Sequence, residues 1–224
     1  MTNAPRLERV AWLALLAVAA LWRFADLGSR AMGHDESLHA YYSYRYADLG
    51  EFRHDPLLHG PFLFHAQALV FALLGDGDAT ARLLPAFAGV LLVGAPWLFR
   101  REIGRRGAFA AGVLLLLSPA VAVYSRYLRN DVWCALFALL WARALLDYRQ
   151  RGEPRALRWL ALAMALSFAS KEVAFLTGAG FGAICLVAAI AQISAAPSRW
   201  RECRWIDLAA VQLALVAPYL AAFG

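Results

Sequence analysis

Apolar runs close to membrane-spanning length recur along the chain, separated by short arginine-rich stretches: Leu7–Leu27, Thr80–Phe99, Gly107–Val123, Asp131–Tyr148 and Leu208–Gly224. A bilayer core about 30 Å thick needs about 20 mostly apolar helical residues. A longer stretch, Trp159–Ala191, is interrupted only by Lys171-Glu172. As one helix it would run about 50 Å, too long for a single crossing. The polar pair therefore divides it into two short spans, Leu157–Ser170 and Val173–Ile193.

One further run, Leu58–Gly75, contains His59, His65 and Gln67, with Pro61 in its first turn. Charge decides whether it crosses. Four clusters are basic: Arg6/Arg9, Arg100/Arg101/Arg105/Arg106, Arg149/Arg151/Arg155/Arg158 and Arg199/Arg201/Arg204. With Leu58–Gly75 lying flat, all four fall on the cytoplasmic side; with it spanning, the last three are expelled while the first stays in. The positive-inside rule selects the flat arrangement. The pattern thus predicts an all-α, polytopic membrane bundle of about seven spans with its N-terminus in the cytoplasm. Residues 1–224 form one transmembrane domain: a first span at 7–27, an outer loop at 28–79, and six further spans in 80–224. The loop holds two interfacial helices. Asp35–Leu49 carries Tyr41, Tyr42, Tyr44 and Tyr46 for the headgroup layer. Leu58–Gly75 is opened by Asp55-Pro56 and closed by Gly75-Asp76-Gly77-Asp78, both turn signatures. Arg6 and Arg9 stand before the apolar run of the first span as in a signal peptide, but no small-residue cleavage site follows it, so it reads as an uncleaved anchor.

Composition narrows the class. Of 224 residues, 62% are hydrophobic and 17% charged, with a mean hydropathy of +0.53. A soluble domain carries roughly 25% charged residues, and disorder needs low hydrophobicity, so both are excluded. The net charge of +6 is spread between apolar segments instead of forming one basic face, which argues against nucleic acid. Cys134, Cys185 and Cys203 make no disulfide framework and read as free thiols.

Reactive side chains gather in the outer loop, which holds all five histidines (His34, His39, His54, His59, His65) and the acids Asp35, Glu36, Asp48, Glu51, Asp55, Asp76 and Asp78. Its sharpest feature is Gly33-His34-Asp35-Glu36-Ser37 at the start of the first interfacial helix. One reading is a carboxylate pair, with one acid as general base on an acceptor hydroxyl and the other orienting it or holding a cation. The other is helix chemistry, since acids in a first turn satisfy free N–H groups and complement the dipole. Glu36 and His39, three apart on one face, are also a weak divalent-cation pair, with no third ligand identifiable by spacing and no other cofactor indicated. A second feature is Tyr124-Ser125-Arg126-Tyr127-Leu128-Arg129-Asn130-Asp131. Arg126 and Arg129 lie on the outer side against the positive-inside bias. A phosphate gripped bidentately would hold them there; headgroup snorkelling or an ion pair with Asp131 would do so as well. The third is Lys171-Glu172, ionisable residues between two half-spans, a functional site by default or a partly solvated turn. All three features face the same outer side. No GxxxxGK phosphate loop occurs, so an enzyme at that face would take its activated substrate from a lipid carrier.

These segments, in this order, resemble a known group: an apolar anchor, His34-Asp35-Glu36 with a tyrosine-rich helix, Asp55-Pro56-Leu57-Leu58-His59-Gly60-Pro61-Phe62, Ala81-Arg82-Leu83-Leu84-Pro85-Ala86, Ser125-Arg126-Tyr127 with Asp131, and Ser170-Lys171-Glu172. From about residue 7 to the end, the chain is similar to the GT-C superfamily of integral-membrane glycosyltransferases. Within it, the chain resembles the prokaryotic protein-mannosyltransferase-like and aminoarabinose-transferase-like branch. The resemblance implies a hexosyl- or mannosyl-type transferase of the inner membrane with its site outside. It would move a sugar from a polyprenyl-phosphate donor to a hydroxyl of a protein, glycan or lipid acceptor, with inversion. Asp35 then matches the general base and Glu36 its partner. Arg126, with Arg129, matches the donor-phosphate side; Lys171 resembles a second phosphate-side cation, and His59 belongs to the same substrate-binding set. Members are about twice as long, which implies an N-terminal portion whose missing C-terminal half a second chain could supply. A non-catalytic assembly subunit, or a lipid-linked-sugar binding accessory on the same fold, is the alternative.

Overall fold

The computed structural model describes residues 4–53 and 58–221. Among them the chain is helical and no strand forms. The helices are α1 (Ala4–Phe24), α2 (His34–Leu49), α3 (Phe62–Leu74), α4 (Asp78–Ala81), α5 (Leu83–Gly94), α6 (Gly104–Leu117), α7 (Pro119–Tyr124), α8 (Asp131–Arg151), α9 (Pro154–Ser170), α10 (Val173–Ala195) and α11 (Arg204–Ala221). Short 3-10 turns at Ala95–Phe99 and Pro197–Glu202 complete the path. The chain divides into two compact units, one running to Leu136 and the other from Phe137. His54 and the turn expected at Asp55-Pro56 lie outside the described residues.

Each apolar run of the sequence becomes helix, with two informative differences. Gly107–Val123 is two helices, because Pro119 lacks an N–H and drives the preceding residue extended. Ser118 accordingly takes φ −62° and ψ 119° and caps α7 through Oγ, which accepts from the Val121 N–H at 3.4 Å. The second difference concerns spans. Among the described residues, two segments are long and apolar enough to cross a membrane, Asp78–Phe99 and Val173–Ala195. The other expected spans are interrupted or carry charge: α8 includes Asp131, Arg143, Asp147, Arg149 and Arg151, and α1 includes Arg6, Glu8, Arg9 and Arg23. The thirteen-residue α3 is about 20 Å long, too short to cross unaided. Large apolar side chains nonetheless face outward along the long helices, among them Leu13, Leu21, Leu114, Leu176, Ile184 and Val187. Outward apolar faces of this extent belong against lipid, not water.

In the first unit, α1 packs on α5 and α6. Trp12 is their centre, edge-to-face with Trp97 (5.4 Å between centroids) and Phe109 (5.5 Å). Buried Arg23 donates from Nη2 to the Leu116 carbonyl at 3.1 Å, one of the orphan carbonyls at the end of α6. In the second unit, Trp141 sits among Leu145, Leu160, Met164, Cys185 and Leu208. The break between α9 and α10 falls at Lys171, whose backbone is extended (φ −160°, ψ 147°), where the sequence divides the long run. The buried face of α10 is Ala174, Gly178, Gly182, Cys185 and Ala189. Such small residues allow close approach of helices where lipid supplies no hydrophobic drive, and a Cβ at Gly182 would lie 3.2 Å from Gln212 Cβ on α11. Cys134, Cys185 and Cys203 are free.

Gly89 on α5 decides where the Ser125–Asn130 loop lies. A Cβ there would be 2.4 Å from Ser125 Cβ and 2.2 Å from its Oγ, and Ser125 is fully buried. Gly89→Ala should therefore lower stability by about 1–3 kcal/mol through overpacking. Gly180→Ala, at an exposed helical position with nothing near its Cβ, should be neutral or slightly stabilising. Thermal unfolding of both variants in detergent micelles checks the contrast.

Candidate active site

The N-terminus of α2 shows how a polar helix becomes a core element. Its buried residues are Glu36, His39, Ala40 and Ser43, spaced three, four and seven apart along one face. Tyr41 and Tyr44 are exposed on the other side. Asp35 and Glu36 are neighbours in sequence but about 100° apart around the helix, so they meet opposite environments. The side chain of Glu36 is fully buried, whereas that of Asp35 is 44% exposed.

Glu36 is a hub. Its Oε2 accepts from the Gly33 N–H at 3.0 Å, the half of a capping box that a glycine N-cap allows, and from Arg30 Nη2 at 2.8 Å. Oε1 accepts from the Leu128 N–H at 3.2 Å. Arg82 joins both oxygens, from Nε to Oε1 at 2.8 Å and from Nη2 to Oε2 at 3.1 Å. The remaining donors of Arg82 reach the carbonyls of Leu27 (2.6 Å), Arg30 (2.8 Å) and Ala31 (3.4 Å). Arg82 is 1% exposed and makes the fork-to-fork pairing that a planar guanidinium permits. Burial alone would raise the Glu36 carboxyl, but the bonds from Arg82, Gly33 and Leu128 outweigh it and hold the group below the ordinary carboxylate range. The carboxylate thus ties α2, the 27–31 segment, the start of α5 and the Ser125–Asn130 loop to one point.

Asp35 faces outward beside it. Arg129 donates from Nη1 to Asp35 Oδ2 at 2.6 Å, and its Nε lies 3.2 Å from Asp131 Oδ2. Asp35 Oδ1 has no hydrogen bond among the described residues. His39 is buried behind this group, its ring 6.5 Å from that of His59 in a stacked arrangement and 5.4 Å from Phe64. Burial, then the nearby His59 and Arg129 charges, lower the His39 imidazole to about 4 against the opposing pull of Asp35 and Asp131. His59 itself has a positive φ of 65°, uncommon outside glycine. Arg126 turns the other way: Nη1 donates to the Trp22 carbonyl at 2.9 Å and Nη2 to the Asp26 carbonyl at 3.1 Å, at the C-terminal end of α1. A guanidinium is favourable there because last-turn carbonyls are unpaired and the dipole is negative.

The first unit therefore gathers Asp35, Glu36, His39, His59, Arg126 and Arg129, and Lys171 belongs to the second. Glu36 and His39 do not form a cation site: the carboxylate oxygens are taken by two guanidiniums and two N–H groups, and no cluster of three or more His, Cys, Asp or Glu at metal-binding distance occurs among the described residues. Arg30 and Arg82 are the participants that sequence reasoning did not pick out as site residues. For Arg82 a signal existed, an arginine at the head of an apolar run, since a fully buried charge demands a partner. For Arg30 there was none.

Residues 58–221 match the family described as dolichyl-phosphate-mannose-protein mannosyltransferase. The chain belongs to that family. Its fold is that of the GT-C glycosyltransferases. ArnT from Cupriavidus metallidurans in the apo state superposes with a TM-score of 0.63 at 24% identity, over 96% of this chain and 42% of that one. ArnT bound to undecaprenyl phosphate gives 0.62 at 23% identity, over 94% and 40%. This mannosyltransferase-family chain thus spans about two fifths of the length of ArnT. No curated protein matches it.

Two outcomes are expected. Arg82→Met should destabilise the protein by about 3–5 kcal/mol, because Glu36 stays buried without its main partner. The double variant Glu36→Leu/Arg82→Met should cost less than the sum of the two single changes, as a double-mutant cycle by chemical unfolding would reveal. The pH dependence should show two windows. Between pH 6.5 and about 4 only the unfolded chain protonates His39, so stability falls as pH drops, and His39→Gln removes that slope. The Glu36 contribution is complete above its ordinary value of 4.5 and is lost below it, as pH falls toward the depressed folded value. Melting midpoints across pH resolve the two.

Proposed function

We propose that this chain carries the catalytic acid of a membrane glycosyltransferase. The enzyme moves a sugar from a polyprenyl-phosphate donor to an acceptor hydroxyl at the non-cytosolic face of the inner membrane. The observation that carries the reading is Asp35: half-exposed, held at Oδ2 by Arg129, open at Oδ1, and standing on the rigid Glu36–Arg82 hub. Membership of the mannosyltransferase family supports the reaction class. The undecaprenyl phosphate bound to ArnT supports the lipid carrier.

The acceptor oxygen attacks the anomeric carbon while its proton passes to Asp35 Oδ1. The bond from that carbon to the phosphate oxygen breaks, and its electron pair leaves with the phosphate. A single displacement inverts the anomeric configuration. The leaving phosphate gains charge as a diester becomes a monoester, so fixed cations lower the barrier. Arg129, ion-paired to Asp35, is the nearest candidate for that role, and His59 is kept in the substrate-binding set. Arg126 is kept for the donor phosphate, with two of its donors already on carbonyls. Glu36 is a positioning residue, since no lone pair faces an acceptor. The arginine-rich connections face the cytoplasm by the positive-inside rule, which puts Asp35 outside, and the apolar runs of the sequence supply about seven crossings.

In membranes supplied with polyprenyl-phosphate hexose, Asp35→Asn should cut sugar transfer by about 10²–10⁴-fold while donor binding is kept. Transfer equal to that of the unmodified chain would remove Asp35 from the chemistry. Donor binding without transfer by the unmodified chain would favour a lipid-linked-sugar accessory instead.

A further inference from the structure

One end of the second unit gathers charge without neutralising it. The last turn of α8, the first turn of α9, the Pro197–Glu202 turn and the start of α11 meet there, and an open cavity of about 750 Å³ lies between α8, α10 and α11. Arg149, Arg201 and Arg204 line it together with Trp205 and two acids, Glu202 and Asp207. None of the three arginines makes an ion pair with a described residue, although acids are close. Asp207 instead accepts from the Tyr148 hydroxyl at 3.1 Å. The guanidiniums lie against aromatic faces, Arg149 over Trp205 at 5.0 Å and Arg201 over Trp200 at 5.4 Å. Arg204 keeps one bond, from Nη1 to the Arg149 carbonyl at 3.0 Å, which fixes it at the rim. Three cations are thus left with donors to spare around a space large enough for a small polar group.

Two features say what kind of anion fits. Trp159 and Trp200 are 66% and 51% exposed at the same end, as tryptophans are at the level of lipid headgroups. Ile184, Val187 and Ile190 of α10 are exposed on the side of that helix turned away from Gln192, so this end of the unit meets lipid around the cavity. Guanidiniums at the end of lipid-facing helices suit a charged headgroup, and basic pockets between membrane helices take anionic headgroups. We propose that this cavity binds the phosphodiester headgroup of an anionic membrane lipid. None of the lining residues takes part in the chemistry proposed for Asp35, so the site stands or falls independently of that reading.

Native mass spectrometry of the full chain, released from micelles carrying phosphatidylglycerol, phosphatidylcholine or inorganic phosphate, tests it. Phosphatidylglycerol should bind about tenfold more tightly than phosphatidylcholine, and its binding should weaken as salt is added. Arg149→Gln/Arg201→Gln should reduce phosphatidylglycerol binding by about tenfold with the melting midpoint kept, while Arg158→Gln, outside the cavity, should leave it unchanged. Equal binding of the two lipids would overturn the proposal, as would an undiminished affinity in a folded double variant. Binding of inorganic phosphate without preference for the anionic lipid would overturn it in favour of a soluble anion. If the double variant does not fold, the lipid preference and salt dependence of the unmodified chain decide the matter alone.

Discussion

A single buried ion pair sets the geometry of the first unit. Glu36 and Arg82 are 0% and 1% exposed and together make eight hydrogen bonds that leave neither group wanting: every oxygen of the one and every N–H of the other is engaged. Removing two charges from water is costly, and only geometry this complete offsets it. What the pair supplies is position. The four segments that converge on it are far apart in sequence, and two of them, 27–31 and 125–130, have no regular structure to place them otherwise.

This arrangement gives the acidic doublet its meaning. Two adjacent carboxylates at a helix start look like a matched pair, but the helical rotation between them separates their fates. Glu36 goes inward to be consumed by structure, and Asp35 goes outward onto a support that cannot move. A reactive group held on a rigid base loses little on reaching a productive geometry. The buried neutral imidazole of His39 beneath it serves the same end, filling space between α2 and α3 without adding charge.

The helices were legible in the sequence because each rests on a local cause: apolar runs of sufficient length, the Lys171-Glu172 interruption and the turn residues around Gly75. The tyrosine-bearing outer face of α2 was legible too. Its inner face was not. Glu36, His39 and Ser43 are polar residues at core positions, and hydrophobic periodicity is blind to them. The kink at Ser118-Pro119 was visible as a proline but lay inside a run whose hydropathy argued for one span. Arg126 was expected to need a phosphate, a headgroup or Asp131 to hold it. The partner was the end of α1, one hundred residues away, and such pairings leave no trace in local spacing.

Arg82 heads one of the two segments apolar enough to cross a membrane. An uncompensated guanidinium at the head of so apolar a segment would oppose its placement in a bilayer. The carboxylate that neutralises it, together with the carbonyls of residues 27–31, is synthesised earlier and already lies upstream. The polar stretch before α3 and the apolar segment headed by Arg82 are thereby coupled through one charge pair, and loss of the carboxylate would leave a guanidinium stranded at the head of a hydrophobic run.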